Sequence, residues 1–250
     1  MANATIKTTE EINIMREGGK ILAKCLKETA DMAKAGISTL ELDEFAEKFL
    51  LSKGGKPSFK GYQGYPATLC VNIDSEVVHG IPRKNKILKE GDLVSIDCGF
   101  LYKGFHTDAT VIIGIGEISK TKKRMIMIAK ETLSKAIDSI KDGTYLGELS
   151  EIIEKNLKRN GYEVIEELTG HGIGKKLHES PIVTNTKESM MPILRSGMTI
   201  AIEPIFALGS GEIRTLRDNW TIVTEDGSVA AQIEHTVLIT DTGCEILTEE

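Results

Sequence analysis

No apolar stretch in the chain approaches the ~18 residues that a membrane span needs, and the opening MANATIKTTEE carries no apolar core of the kind a secretory signal has. Positive charge is not in excess either. The 31 Lys and Arg against 37 Asp and Glu leave a net charge of −6, which argues against a nucleic-acid binder held by a broad basic surface. Cys25, Cys70, Cys98 and Cys244 lie far apart and form no C-x-x-C pair. Neither a structural zinc knuckle nor a disulfide scaffold is therefore expected, and the four read as free, mostly buried thiols. No linker or low-complexity segment divides the chain. What is left has the profile of a cytoplasmic globular protein: 250 residues, 40% hydrophobic and 27% charged. That is enough for one good-sized domain, or for two small ones sharing a core.

The two halves of the chain echo one another. Gly36-I-S-T-L-E-L-D-E-F-A-E lies without gaps on Gly143-T-Y-L-G-E-L-S-E-I-I-E, and the same register carried forward matches Gly54 with Gly161. HGI occurs at His79 and again at His171. GDLVSID (91–97) matches GMTIAIE (197–203), and DATVII (108–113) matches EHTVLI (234–239). The period is too long for a solenoid. The expectation is a single domain of two pseudo-symmetric halves, about 8–118 and 119–248.

Each half reads helix, helix, strands. Thr8 with Glu11 and Ser38 with Glu41 make capping boxes, each ahead of apolar residues at helical spacing. The second half offers helices over 125–140 and around Leu149 to Leu157, with the basic run Lys120 to Arg124 as a solvated face. β-branched stretches with Gly-rich turns follow the helices. The fold class is α+β: a curved, mostly antiparallel sheet backed by helices.

Asp97 and Asp108 each sit in such a stretch, and a hairpin centred near Tyr102-Lys103-Gly104 would set them directly opposite. Like charges on such a pair stand ~5 Å apart and repel. A cation between them, or two divalent metals ~3.5–4 Å apart, would resolve the conflict. A one-residue bulge would instead turn one acid to the other face. The repeat supplies a second pair, Glu203 and Glu234, with Asp226-Gly227 as a type I′ turn feeding the strand of Glu234. A single strand acid is often a rim residue or an ion-pair partner. Four at symmetry-matched positions point to one centre, and His171 in GHGIG would make an oxygen-rich, five-ligand site. Such a donor set suits Mn, Fe or Co better than the sulfur-rich sites of structural zinc.

Asp97 in SIDCG, Asp108 in HTDAT, His171 in TGHGIG, Glu203 in IEP and Glu234 in EHT resemble, in order and across residues 8–248, the five metal ligands of the methionine aminopeptidases. The resemblance implies the pita-bread fold shared with prolidases and creatinases. Within that group the chain is most similar to the short, bacterial-style type I enzymes, with no room for an additional N-terminal domain and no helical block between Glu203 and Glu234. It implies removal of the initiator methionine from nascent proteins before a small second residue, by attack of a hydroxide bridging two divalent metals (Mn, Fe, Co or Zn). Asp108 and Glu234 would bridge the metals, Asp97 would hold one, and His171 with Glu203 the other. Glu203 would also pass the proton. His178 in LHESP would face the scissile carbonyl and His79 in VVHGIP the amide nitrogen. Phe59, Tyr62, Tyr65, Cys70 and Trp220 would line the methionine pocket. His106 and His235, beside ligand acids, are expected to turn away from the metals. The resemblance further implies a monomer that meets the N-terminal Met of nascent chains in transient association with the ribosome. Neither nucleic-acid readout nor a membrane is expected. The chain's own Met1-Ala2 has the second-residue class that such enzymes process. Two rival readings remain: a pita-bread protein that binds partners without catalysis, and a proline-specific aminopeptidase.

Overall fold

The computed structural model describes residues 4–250, so Met1 and Ala2 lie outside them. The chain opens with two helices, α1 (Thr9–Met32) and α2 (Thr39–Ser52). Five strands follow: β1 (Lys56–Pro57), β2 (Leu69–Ile73), β3 (Glu76–Val78), β4 (Leu93–Tyr102) and β5 (Phe105–Gly114). The second half repeats the order, with α3 (Lys120–Asp138) and α4 (Leu146–Arg159) ahead of short strands. These are β6 (Glu163–Val164), β7 (Gly170–Gly172), β8 (Glu179–Val183), β9 (Thr199–Ile202) and β10 (Ile205–Ala207). The last five are β11 (Ile213–Thr215), β12 (Ile222–Thr224), β13 (Ala230–Gln232), β14 (Glu234–Ile239) and β15 (Cys244–Ile246).

Both capping boxes form. The Thr8 hydroxyl accepts from the Glu11 N–H while the Glu11 carboxylate accepts from the Thr8 N–H, and Ser38 with Glu41 does the same. The matching cap of α4 is Tyr145, whose side chain makes no capping bond to the helix. α3 starts at Lys120 on the Ser119 cap, five residues before its first apolar position, so the basic run forms its first turn. Cations there oppose the helix dipole. Lys122 nonetheless has a use, since it pairs with Asp74 at 2.6 Å and donates to the Gly91 carbonyl. Gly36 and Gly143 have φ of 94° and 84°, and Gly54 and Gly161 have 79° and 81°, so the aligned glycines turn the chain alike.

The main sheet runs β1-β4-β5-β14-β9-β7-β8, with β2 added to β4 and β15 to β14. Every pairing is antiparallel. Ile96, Cys98 and Phe100 turn to a core shared with Leu22, Leu26 and Leu42 of α1 and α2. Ile200, Ile202, Val237 and Ile239 turn to a second core with Leu133, Ile137 and Leu149 of α3 and α4. The polar alternates, Asp97 among them, are left for the opposite face. No helix among the described residues is long and apolar enough to cross a membrane.

Two expectations are corrected. The β4–β5 hairpin closes on Tyr102↔Phe105 through the two-residue turn Lys103-Gly104, both at positive φ (47° and 86°), as a type I′ turn requires. Asp97 therefore faces Thr110 and Asp108 faces Gly99, so the two acids are diagonal neighbours rather than direct partners. The offset of two residues keeps them on one face. At Asp226-Gly227 only the glycine has positive φ, and the flanking strands β12 and β13 join different sheets. It is a turn, but not a type I′ hairpin.

Candidate metal centre and active site

Strand register alone brings the acids together, because paired residues share a face. Asp97 pairs with Thr110, Thr110 with Glu234, Thr236 with Ala201, and Ala201 with His171. Asp108 lies two residues from Thr110, and Glu203 two from Ala201. All five candidate ligands thus look out from one side of the sheet, where β5 and β14 meet. The threonines tie the seam. Thr110 donates to Glu234 Oε2 at 3.0 Å, and the Thr236 hydroxyl accepts from the Asp108 N–H at 2.9 Å and donates to its carbonyl at 2.8 Å.

Ligand atoms of Asp108, His171 and Glu234 all lie within 4.8 Å of one another, and His171 Nε2 is 3.8 Å from Glu203 Oε1. The residues are buried, yet Asp97 Oδ1, Asp108 Oδ1 and Glu234 Oε1 have no hydrogen-bond partner. Carboxylate oxygens orphaned in a dry site are costly unless a cation satisfies them. Burial pushes the Asp97 carboxyl up to about 7. Burial, followed by the charges of the other acids, holds Asp108, Glu203 and Glu234 well above the usual carboxylate range. His171 is pushed down to about 4 by burial. Its Nδ1 lies 2.9 Å from the Gly172 carbonyl, which can only accept. The proton therefore sits on Nδ1 and the Nε2 lone pair is free for a metal. A site that buries four carboxylates beside an imidazole and leaves three of their oxygens without a partner fits divalent metal ions.

Around this centre is a pocket of about 450 Å³. Every residue singled out from the sequence lines it: the five above with His79, His178, Phe59, Tyr62, Tyr65, Cys70 and Trp220. Tyr65 meets Trp220 edge-on at 5.1 Å and donates to the Leu69 carbonyl, while Cys70 is buried beside them. His79 holds a left-handed backbone (φ 58°), a conformation that persists in a non-glycine residue only where its surroundings enforce it. The His178 ring packs edge-on against His171 at 4.3 Å, and its Nδ1 is 2.9 Å from the Tyr62 hydroxyl. His106 and His235 do turn elsewhere, to Ser58 and Thr248 at 2.8 and 2.9 Å.

Sequence reasoning missed Gln232, which donates from Nε2 to Glu203 Oε2 at 3.2 Å and lines the pocket. Its position two residues before Glu234 put it on the ligand face by strand alternation, so a signal was there. Leu177 adds an apolar wall.

The model of metallopeptidase family M24 matches residues 13–241. A methionine aminopeptidase of Clostridium perfringens is 43% identical over 97% of this chain and 98% of its own length. The crystal structure of a methionine aminopeptidase from Thermotoga maritima superposes with a TM-score of 0.97 at 40% identity, over 99% of this chain and 100% of that one. A prolidase from Pyrococcus horikoshii superposes with a TM-score of 0.80 at 28% identity, over 98% of this chain but 63% of its own.

Proposed function

The chain belongs to metallopeptidase family M24, and from that membership we infer that it removes the initiator methionine from nascent proteins by metal-dependent hydrolysis of the first peptide bond. The observation that carries this is a buried cluster of four carboxylates and one imidazole, three of whose carboxylate oxygens have no partner, lining an apolar pocket. Full-length similarity to methionine aminopeptidases supports the choice of substrate. That reading treats the chain as one catalytic domain of two halves, about 8–118 and 119–248, each supplying acids to the seam.

Asp97, Asp108, His171, Glu203 and Glu234 would hold two divalent ions. Four carboxylates and one imidazole suit Mn, Fe or Co, with Zn tolerated. When bound, such ions supply Lewis-acid polarisation and a water acidic enough to attack at neutral pH.

The chain's own groups do the rest. Gln232 donates to Oε2 of Glu203, which orients the carboxylate to take the attacking water's proton and pass it to the leaving amine. Burial lowers the pKa of His178, which keeps the imidazole neutral with a single proton to place. With the Tyr62 O–H donating to Nδ1, that proton sits on Nε2 and is donated to the scissile carbonyl as it becomes an oxyanion. His79, whose pKa is lowered by burial and then by His178, lies on the amide-nitrogen side. Phe59, Tyr62, Tyr65, Cys70 and Trp220 enclose the methionine side chain, a thioether against aromatic faces.

The test is hydrolysis of Met-Ala-Ser by metal-stripped protein with and without added Mn or Co, beside Glu203→Ala and an X-Pro peptide. Methionine released only with metal, and not by the variant, supports the reading. Cleavage of the X-Pro peptide instead transfers it to the proline-specific class. No release with any metal leaves a binding protein on the same fold.

A further inference from the structure

His178 sits on the connection between β7 and β8, a stretch of chain outside both strands. Beneath that connection lies an ion pair that the reaction as derived does not use. Lys7 Nζ stands 2.9 Å from Glu179 Oε2, with the two side chains 4% and 9% exposed. The Thr5 hydroxyl donates to the same oxygen at 2.6 Å, and the Lys7 ammonium also reaches that hydroxyl. The other carboxylate oxygen, Oε1, accepts from the Lys176 N–H at 3.0 Å. Glu179 thus holds the N-terminal arm with one oxygen and the turn before His178 with the other.

Both sides are fixed in turn. The Lys7 N–H donates to the Gly197 carbonyl at 2.8 Å, next to β9. The Gly174 carbonyl accepts from the His106 N–H at 2.7 Å, on the strand that carries Asp108. At Gly174 a Cβ would come within 2.6 Å of Lys7 Cε and 2.9 Å of Glu179 Oε1, so a glycine lets the chain lie directly on the pair. A buried ion pair is a poor source of net stability compared with apolar packing, and its best-supported use is to specify one geometry.

We propose that Lys7 and Glu179 are positioning residues for hydrolysis. Their ion pair holds the 174–178 connection so that His178 Nε2 faces the scissile carbonyl, a role that rests on the aminopeptidase reading above. The arm is then part of the active-site architecture, although Lys7 touches no substrate.

The experiment compares steady-state hydrolysis of Met-Ala-Ser by the Mn-loaded enzyme in wild type, Lys7→Met, Lys7→Arg, Glu179→Gln, His178→Ala and Lys7→Met/His178→Ala. Displacing a positioned donor should lower kcat on the order of 10- to 100-fold in Lys7→Met and Glu179→Gln, with KM and bound Mn within about twofold. Lys7→Arg should recover most of the loss. In the His178→Ala background Lys7→Met should cost less than about twofold more, because the two changes remove one function. A loss of equal size in both backgrounds overturns the proposal, as does an unchanged kcat or a loss that follows metal content. Where Lys7→Met does not fold, Glu179→Gln carries the comparison, since its amide oxygen can still accept from the Lys176 N–H and its NH2 can donate to the Thr5 hydroxyl. Wild type without turnover sinks the aminopeptidase reading and the proposal together. Wild-type turnover with unaffected variants sinks the proposal alone.

Discussion

Replacing Asp108 with Asn should make the metal-free protein more stable while abolishing its response to metal. Ligand atoms of Asp108 and Glu234 lie within 4.8 Å of one another. At an effective dielectric of about 20, two unit charges so placed repel by about 3 kcal/mol or more. Asp97 carries a separate cost, that of burial, which raises its pKa from 3.8 to about 7. Between those values the folded protein holds a proton that the unfolded chain has lost. Stability of the metal-free protein therefore falls as pH rises through that window, and the penalty levels off above pH 7 at roughly 4 kcal/mol for this group. Asp108, Glu203 and Glu234 are raised in the same direction and add to the slope. Metal reverses it, because protons compete for the same oxygens. Thermal melts from pH 5.5 to 8.5, in EDTA and in Mn, read all of this. The metal-free wild type should melt lower as pH rises, and Asp108→Asn should melt roughly 5–10 °C above it at pH 8. Mn at a hundred times its Kd should stabilise the wild type by about 2.7 kcal/mol and the variant hardly at all. A flat wild-type profile in EDTA, or an Asp108→Asn melt below wild type there, would refute the reasoning.

Three other outcomes are expected. Asp43, buried where it accepts from the Thr68 and Leu69 N–H groups, is raised from 3.8 to about 6, chiefly by burial. It therefore withdraws up to roughly 3 kcal/mol of stability as pH rises between those values, and urea titrations of Asp43→Asn against wild type should show that slope missing; parallel profiles would count against it. Gln232→Met removes the donor to Glu203 and should weaken Mn binding about 10- to 100-fold by calorimetry; unchanged affinity would leave Gln232 without the holding role. Trp220→Ala opens the aromatic wall beside Tyr65 and should lower kcat/KM for Met-Ala-Ser roughly 2- to 10-fold, the range of a sulfur–aromatic contact, with a smaller loss for the norleucine analogue. Equal losses on the two peptides would show that no such contact is made.

What was legible in the sequence was whatever is written locally. Thr8-x-x-Glu11 and Ser38-x-x-Glu41 specify their helix starts within four residues, and both form. Strand alternation placed Asp97 and Asp108 on one face correctly. The pairing was not legible, because moving the turn to Lys103-Gly104 shifts the register by two residues without changing which face an acid occupies. The partners of the site were hidden for a different reason. Lys7 and Glu179 are 172 positions apart, and neither has a neighbour in sequence that hints at burial. Asp43 looks from its position like an exposed acid on a helix, yet it caps the start of β2 from below. Such contacts depend on how layers stack, which periodicity does not encode.

The same stacking explains why a site this costly survives. The seam between β5 and β14 is tied by a reciprocal exchange: Thr110 serves Glu234, and Thr236 serves Asp108. Each half of the chain thereby fixes an acid of the other. Thr110 supplies a hydroxyl small enough to keep the strands paired and polar enough to orient the Glu234 carboxylate, while Thr236 clamps the backbone of Asp108 and so fixes where its side chain starts. Apolar residues there would pack better and leave the acids free to swing apart, relieving the repulsion that Asp108→Asn is expected to relieve. Function requires the opposite. Donors held close before any metal arrives lose little freedom on binding it, so the strain stored in the metal-free protein becomes affinity and geometry in the loaded one. Stability and metal binding are then expected to trade against each other at these threonines as well as at the acids.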